Sequence, residues 1–140
     1  CGSRDFIREA RRARKVVGGG MRQAGVIAAA GIVALTEMVD RLSEDHDNAR
    51  RLAQGLVDAE GISVDPGSVR TNIVYMNITK DGLLSAHLAE LLAGVGVLLL
   101  PTGSRQLRAV TNYHIARDDV DRAVDVIRTV LKREGPPEPY

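Results

Sequence analysis

Aromatic residues are nearly absent from this 140-residue chain, which has no tryptophan, one phenylalanine and three tyrosines. Core volume must therefore come from Leu, Val, Ile and Ala, and no aromatics interleave with the basic run Arg8–Lys15 as a base-stacking surface would require. A single cysteine, Cys1, excludes an internal disulfide framework and a cysteine-based zinc site. It suits a reducing compartment. No apolar run is long enough to span a bilayer: the longest, Ala24 to Leu35, falls short of the roughly 20 residues needed. Net charge is only +1, so nothing drives the whole chain toward nucleic acid or acidic membranes. The opening residues do not read as a signal or transit peptide, so none is expected in this stretch. The cytoplasm is the expected compartment, with the mitochondrion as the alternative. The first residue is Cys rather than Met, so a truncated product or an excerpt of a longer chain is expected.

What charge there is lies unevenly. Residues 1–23 hold seven Lys/Arg against two Asp/Glu, and residues 37–60 hold three Arg against seven Asp/Glu. "SRDFIREARRARKVV" predicts a short helix, capped by Ser3, with Asp5 and Glu9 near its positive end. Glycines 18–20 end it. The next 38 residues predict one long helix from Met21 to Asp58. Its first half, Ala24–Leu35, is apolar nearly all round and is expected to be buried on most sides. Its second half is amphipathic through Leu35, Met38, Val39 and Leu42, then Ala49, Leu52, Ala53 and Leu56.

After Gly61 the period changes. "ISVD" and "NIVYMNI" predict strands, the second with Ile73, Tyr75 and Asn77 on one side and Val74, Met76 and Ile78 on the other. "LLSAHLAELLAGVG" predicts a helix, "VLLLP" a buried strand, "LRAVTNYHI" a strand, and "ARDDVDRAVDVIRTVLKRE" a helix with Val120, Val124, Ile127, Val130 and Leu131 inward. The order β-β-α-β-β-α gives an α/β chain whose second part is a small α+β sandwich with helices on one face. The expected organisation is a helical region, 1–60, that borders a larger body and includes the linking helix. A small α+β domain, 61–134, and a flexible tail, 135–140, follow.

Several residue groups carry possible chemistry. Gly18-Gly19-Gly20-Met21-Arg22 offers backbone N–H groups, a helix start and a cation, the ingredients of an anion site. The alternative is a plain hinge between helices. It is not a Walker loop or dinucleotide fingerprint, because no strand leads in. Arg108, at a strand start after a Gly/Ser loop, has the context of a carboxylate clamp, against a surface arginine on an edge strand. Arg105 is its weaker rival. His114 is expected on the same strand face as Asn112. His46 and His87 lie on helices, and no histidine pair has metal-ligand spacing, so no metal site is expected. Ser3, Ser43 and Ser104 have no nearby base to make a nucleophile. The Arg8–Lys15 run is interrupted by Glu9 and fits a solvated face or interface better than nucleic acid.

Three stretches taken together, "GSRDFIREARRARKVVGGGMRQAGVIAAAGIVAL", "RLSEDHDNARRLAQGL" and "LRAVTNYHIARDDVDRAV", resemble the C-terminal part of threonine aldolases. These are pyridoxal-phosphate enzymes of fold type I. The likeness covers residues 1–134. It implies cleavage of L-threonine or L-allo-threonine to glycine and acetaldehyde, and so a place in threonine catabolism and glycine formation. It also implies homo-oligomers, no membrane and no nucleic acid. It maps a contact to the cofactor phosphate or the subunit interface onto Arg22, and the substrate-carboxylate arginine onto Arg108. The family's Schiff-base lysine falls before Cys1-Gly2-Ser3. The lysines here are Lys15, Lys80 and Lys132, none in that context, so the chain alone is expected to be inactive and without bound cofactor. Many members read RxVTH where this chain has Arg108-Ala109-Val110-Thr111-Asn112. The alternative expectation is a non-catalytic truncated homologue that assembles with full-length subunits.

Overall fold

The computed structural model describes residues 1–133, and the expected tail, 135–140, lies outside them. The chain divides into two compact units, Cys1–Val39 and Asp40–Tyr140.

The first unit holds helices α1 (Arg4–Val16) and α2 (Gly25–Glu37). The Ser3 side chain accepts from the Phe6 N–H at 3.2 Å and starts α1. Two of the three glycines finish it. Gly18, at φ +79°, takes the left-handed turn that a Cβ would oppose, and its N–H donates to the Lys15 carbonyl. The Gly19 N–H donates to Arg14 O at 2.8 Å. Contrary to the burial expected from its composition, α2 is exposed along its whole length, with Val26 at 84 % and Leu35 at 76 %. An all-apolar helix needs a surface against it on every side, and the described part of this unit offers none.

The helix expected from Met21 to Asp58 is two helices, α2 and α3 (Leu42–Leu56), the first in one unit and the second in the other. The Thr36 hydroxyl donates back to Ile32 O, which loosens the end of α2. Glu44 and Asp45 favour a new positive helix start, and the Ser43 hydroxyl donates to the Asp40 carbonyl. Apolar spacing runs unbroken across this junction, so periodicity does not show it.

The second unit follows the expected order: α3, β1 (Ile62–Ser63), a 3₁₀ turn, β2 (Ile73–Ile78), α4 (Ser85–Ala93), β3 (Leu100–Gly103), β4 (Gln106–Val110) and α5 (Arg117–Arg133). The strands form one antiparallel sheet in the order β1-β2-β4-β3. Alternation along β2 and β4 puts Val74, Met76, Leu107 and Ala109 into the core beneath α3, α4 and α5. Leu52 and Leu56 of α3, Leu88 and Leu92 of α4, and Ile127 and Leu131 of α5 complete that core. Burying a side chain such as Leu56 or Ile127 stabilises by about 1.5–3 kcal/mol. α3 and α5 touch closely: a Cβ on Gly55 would sit 2.7 Å from Val124 Cγ2. Arg128 Nε donates to Gly55 O at 2.8 Å beside that contact.

Two strands differ from expectation. The segment expected as a buried strand at "VLLLP" is shifted to Leu100–Gly103 and is the exposed sheet edge. Pro101 lacks an N–H and suits that edge. β4 stops at Val110 rather than Ile115, because Thr111–Ala116 form a tethered loop. There the Asn112 side chain accepts from the His114 N–H at 3.0 Å, a local turn that replaces strand pairing. Asn112 and His114 therefore do not share a strand face.

Candidate functional site

The helices cover one face of the sheet and leave the other open. Ile73, Tyr75 and Asn77 of β2 and Gln106, Arg108 and Val110 of β4 alternate onto that open face. Arg108 sits at its centre, on an inner strand paired on both sides. Its Cα partners are Tyr75 on β2 and Leu100 on β3. Its half-buried side chain makes no hydrogen bond or ion pair among the described residues, and its Nε is fully buried without a partner. A buried guanidinium N–H left unmatched costs free energy until an acceptor arrives, and a planar fork of this kind matches a carboxylate in bidentate fashion.

Arg105, the rival, is already engaged. Its Nε donates to Ile78 O at 3.0 Å and its Nη2 to Lys80 O at 2.7 Å, which staples the β3–β4 turn to the end of β2. The sequence ranked Arg105 behind Arg108 but could not show the reason, which lies in long-range carbonyl positions.

The loop after β4 is fastened from several sides. Buried Thr111 donates its hydroxyl to Asp45 O at 2.6 Å, and the Asn72 amide donates to Thr111 O at 2.7 Å. Asn48 Nδ2 donates to Ile115 O at 2.9 Å. The buried Asp45 carboxylate accepts two bonds from Arg41, at 2.9 and 3.1 Å, and Arg41 lies 4.9 Å from the Tyr113 ring centre. The hydrogen bond to Asp45 raises the proton affinity of Arg41. These tethers fix where β4 ends, two residues past Arg108. The bonds made by Thr111, Asn72 and Asn48 were not visible in the sequence, since each reaches a main-chain oxygen far away in the chain.

An open cleft of about 740 Å³ runs past Arg41, Arg50, Arg51, His114 and Arg117. Three of its four arginines are neutralised, Arg41 by Asp45, Arg50 by Asp47 and Arg51 by Asp121. It does not include Arg108. His114 and His87 are exposed and His46 is half-buried on α3.

In the first unit, Arg22 lies exposed in the turn before α2, which begins at Gly25 rather than at Met21. It has no hydrogen-bond partner among the described residues. The glycine N–H groups expected to cradle an anion are largely committed, since those of Gly18 and Gly19 close α1. Of the three lysines, Lys80 donates to Leu131 O at 2.6 Å and holds the end of α5, while Lys15 and Lys132 are exposed on helices. Arg22 and Arg108 belong to different units.

Comparison with known proteins places this geometry in a family. Residues 1–79 match the family model described as beta-eliminating lyase. A probable low-specificity L-threonine aldolase 2 of Arabidopsis thaliana is 45 % identical over 93 % of this chain and 37 % of its own length. The low specificity L-threonine aldolase of Escherichia coli strain K12 is 38 % identical over 94 % of this chain and 38 % of its own. The chain spans little more than a third of the length of these curated relatives. Among solved structures, the Escherichia coli cysteine desulfurase CsdA superposes on 81 % of this chain and 32 % of its own, with a TM-score of 0.64 at 20 % identity. The fold is that of part of a pyridoxal-phosphate enzyme of fold type I. Among the described residues no helix is long and apolar enough to cross a membrane. The chain belongs to the beta-eliminating lyase family and resembles the C-terminal third of its threonine aldolases.

Proposed function

We propose that this chain is the C-terminal portion of a threonine-aldolase-like lyase, in which Arg108 binds the α-carboxylate of a β-hydroxy-amino acid such as L-threonine or L-allo-threonine. The observation that carries the reading is the unpartnered guanidinium of Arg108 on the open face of an inner strand. A carboxylate there would accept from the fork in bidentate geometry, which fixes the substrate's orientation as well as its affinity.

Pyridoxal phosphate, when bound in such an enzyme, supplies the electron sink for Cα–Cβ cleavage. The residues present fit only one edge of it. Arg22, charged and unpaired, suits the phosphate, and Gly20 adds an N–H beside it that closes no helix. No lysine stands in the context of a covalent anchor, so the remaining contacts belong to residues outside this chain. Arg22 therefore holds charge at the phosphate, and Arg108 orients the amino acid. Homo-oligomers, or assembly with a full-length subunit, would bring the missing contacts. The second reading is a non-catalytic homologue that serves as an interaction module, and the fully exposed apolar α2 favours it.

The test is a chimera in which residues 1–133 replace the matching third of a full-length threonine aldolase. It should release glycine from L-threonine. Arg108→Gln should raise KM about ten- to hundredfold with a smaller change in kcat, since a charged hydrogen-bond pair to the ground-state carboxylate is worth roughly 1.5–3 kcal/mol. An unchanged KM would sink the assignment of Arg108. The 140-residue chain alone should release no glycine and retain no cofactor after dialysis. Turnover by it would refute the fragment reading.

A further inference from the structure

The open sheet face carries a second donor that has no partner among the described residues. Tyr75 is the Cα partner of Arg108 across β2 and β4. In an antiparallel pair, residues directly opposite have Cβ atoms about 4.5–5.5 Å apart and project to the same side. The neighbours confirm which side: Val74 and Met76 on β2, and Leu107 and Ala109 on β4, point into the helical core. Tyr75 is 47 % exposed, and its hydroxyl has no hydrogen-bond partner among the described residues.

The rest of the face is already settled. One rung along, Gln106 Nε2 donates to Asn77 Oδ1 at 3.0 Å, and the Thr102 hydroxyl donates to Gln106 Oε1 at 2.9 Å. The rung on the other side, Ile73 and Val110, is apolar. Between these sits a rung with two free donors, a guanidinium and a phenol, ended by the exposed apolar Leu100. A carboxylate has about four lone-pair positions, and an arginine fork uses two of them. A third donor alongside fits what remains.

We infer that Tyr75 is a substrate-binding residue: its hydroxyl donates a hydrogen bond to the carboxylate that Arg108 takes, and the two select amino acids over amines. The inference rests on the reading of Arg108 as the carboxylate group. It adds to that reading a neutral donor on a different strand.

The chain has three tyrosines and no tryptophan. Tyr113→Phe together with Tyr140→Phe therefore leaves Tyr75 as the sole source of tyrosine emission, and Phe at 113 keeps a ring beneath Arg41. The full chain in this background is titrated with glycine, and with methylamine as the probe lacking a carboxylate. Tyr75 emission and the Arg108 Nε–H resonance are followed together. Glycine should move both with a common midpoint, and methylamine neither. Tyr75→Phe removes only the hydroxyl from an exposed position, so far-UV circular dichroism should be unchanged. It should weaken the midpoint seen at the Arg108 resonance by about tenfold. A glycine midpoint that is the same with Tyr or Phe at 75 overturns the role of Tyr75 and leaves that of Arg108 standing. If glycine moves neither signal, or methylamine moves both equally well, both assignments fall.

Discussion

Asp121 accepts from both Nε and Nη2 of Arg51, the second at 2.7 Å, and so ties α5 to α3 on the surface of the second unit. The hydrogen bond from Arg51 holds the Asp121 carboxyl below its ordinary value of 3.8. A carboxyl depressed in the folded state contributes stability above its unfolded value and loses it as pH falls through the folded value. Wild type should therefore lose more urea resistance than Asp121→Asn as pH falls from about 4 downward, and the gap between them should be flat from pH 5 to 7. Urea midpoints measured across that range check this, and parallel curves would show that the pair adds nothing. At this scale the sequence was informative about types and silent about partners. Arg108 stood out by its place after a Gly/Ser loop. Tyr75 showed only as one member of an alternating strand. What joins them is a register between strands separated by a helix and a strand, which no local pattern encodes.

The pairing of α3 with α5 depends on a missing side chain. Gly55 lets Val124 approach where a Cβ would meet its methyls at 2.7 and 3.0 Å. In an open helix, Gly→Ala stabilises through helix propensity, by about 1 kcal/mol. Here overpacking opposes it, and about 1–3 kcal/mol of destabilisation is expected. Gly55→Ala should lower Tm, while the double variant with Val124→Ala should recover much of the loss, a coupling expected for side chains in contact. Additive effects would mean the helices simply move apart. The elements with one buried face, β2, the second half of α3 and α5, were legible because their periodicity reports burial directly. The junction of α2 and α3 was not, because Thr36, Ser43 and the acidic first turn act through hydrogen bonds and dipoles rather than apolar spacing. β3 was misplaced for a related reason: four apolar residues in a row do not say whether a strand is central or at an edge.

Across the whole molecule the core is one-sided. Among the described residues every buried apolar one lies between Ala49 and Leu131, and the first unit has none. Helix α2 exposes Val26, Ile27, Ile32, Val33 and Leu35, a patch of the sort that drives association. Light scattering coupled to size exclusion should find the isolated chain above its monomer mass of 15.1 kDa, and Ile27→Glu with Ile32→Glu should bring it down. A clean monomer before substitution would mean α2 finds cover within the chain. Composition announced this helix as one that needs surroundings, and the surroundings themselves were never within reach of a reading of these residues. The inner position of β4 has a further meaning. A side chain rooted in a strand bonded on both sides has surrendered most of its backbone freedom during folding, before any ligand arrives. On the proposed reading Arg108 would meet a carboxylate with its backbone already ordered, so that only side-chain rotamer freedom is left to lose on binding.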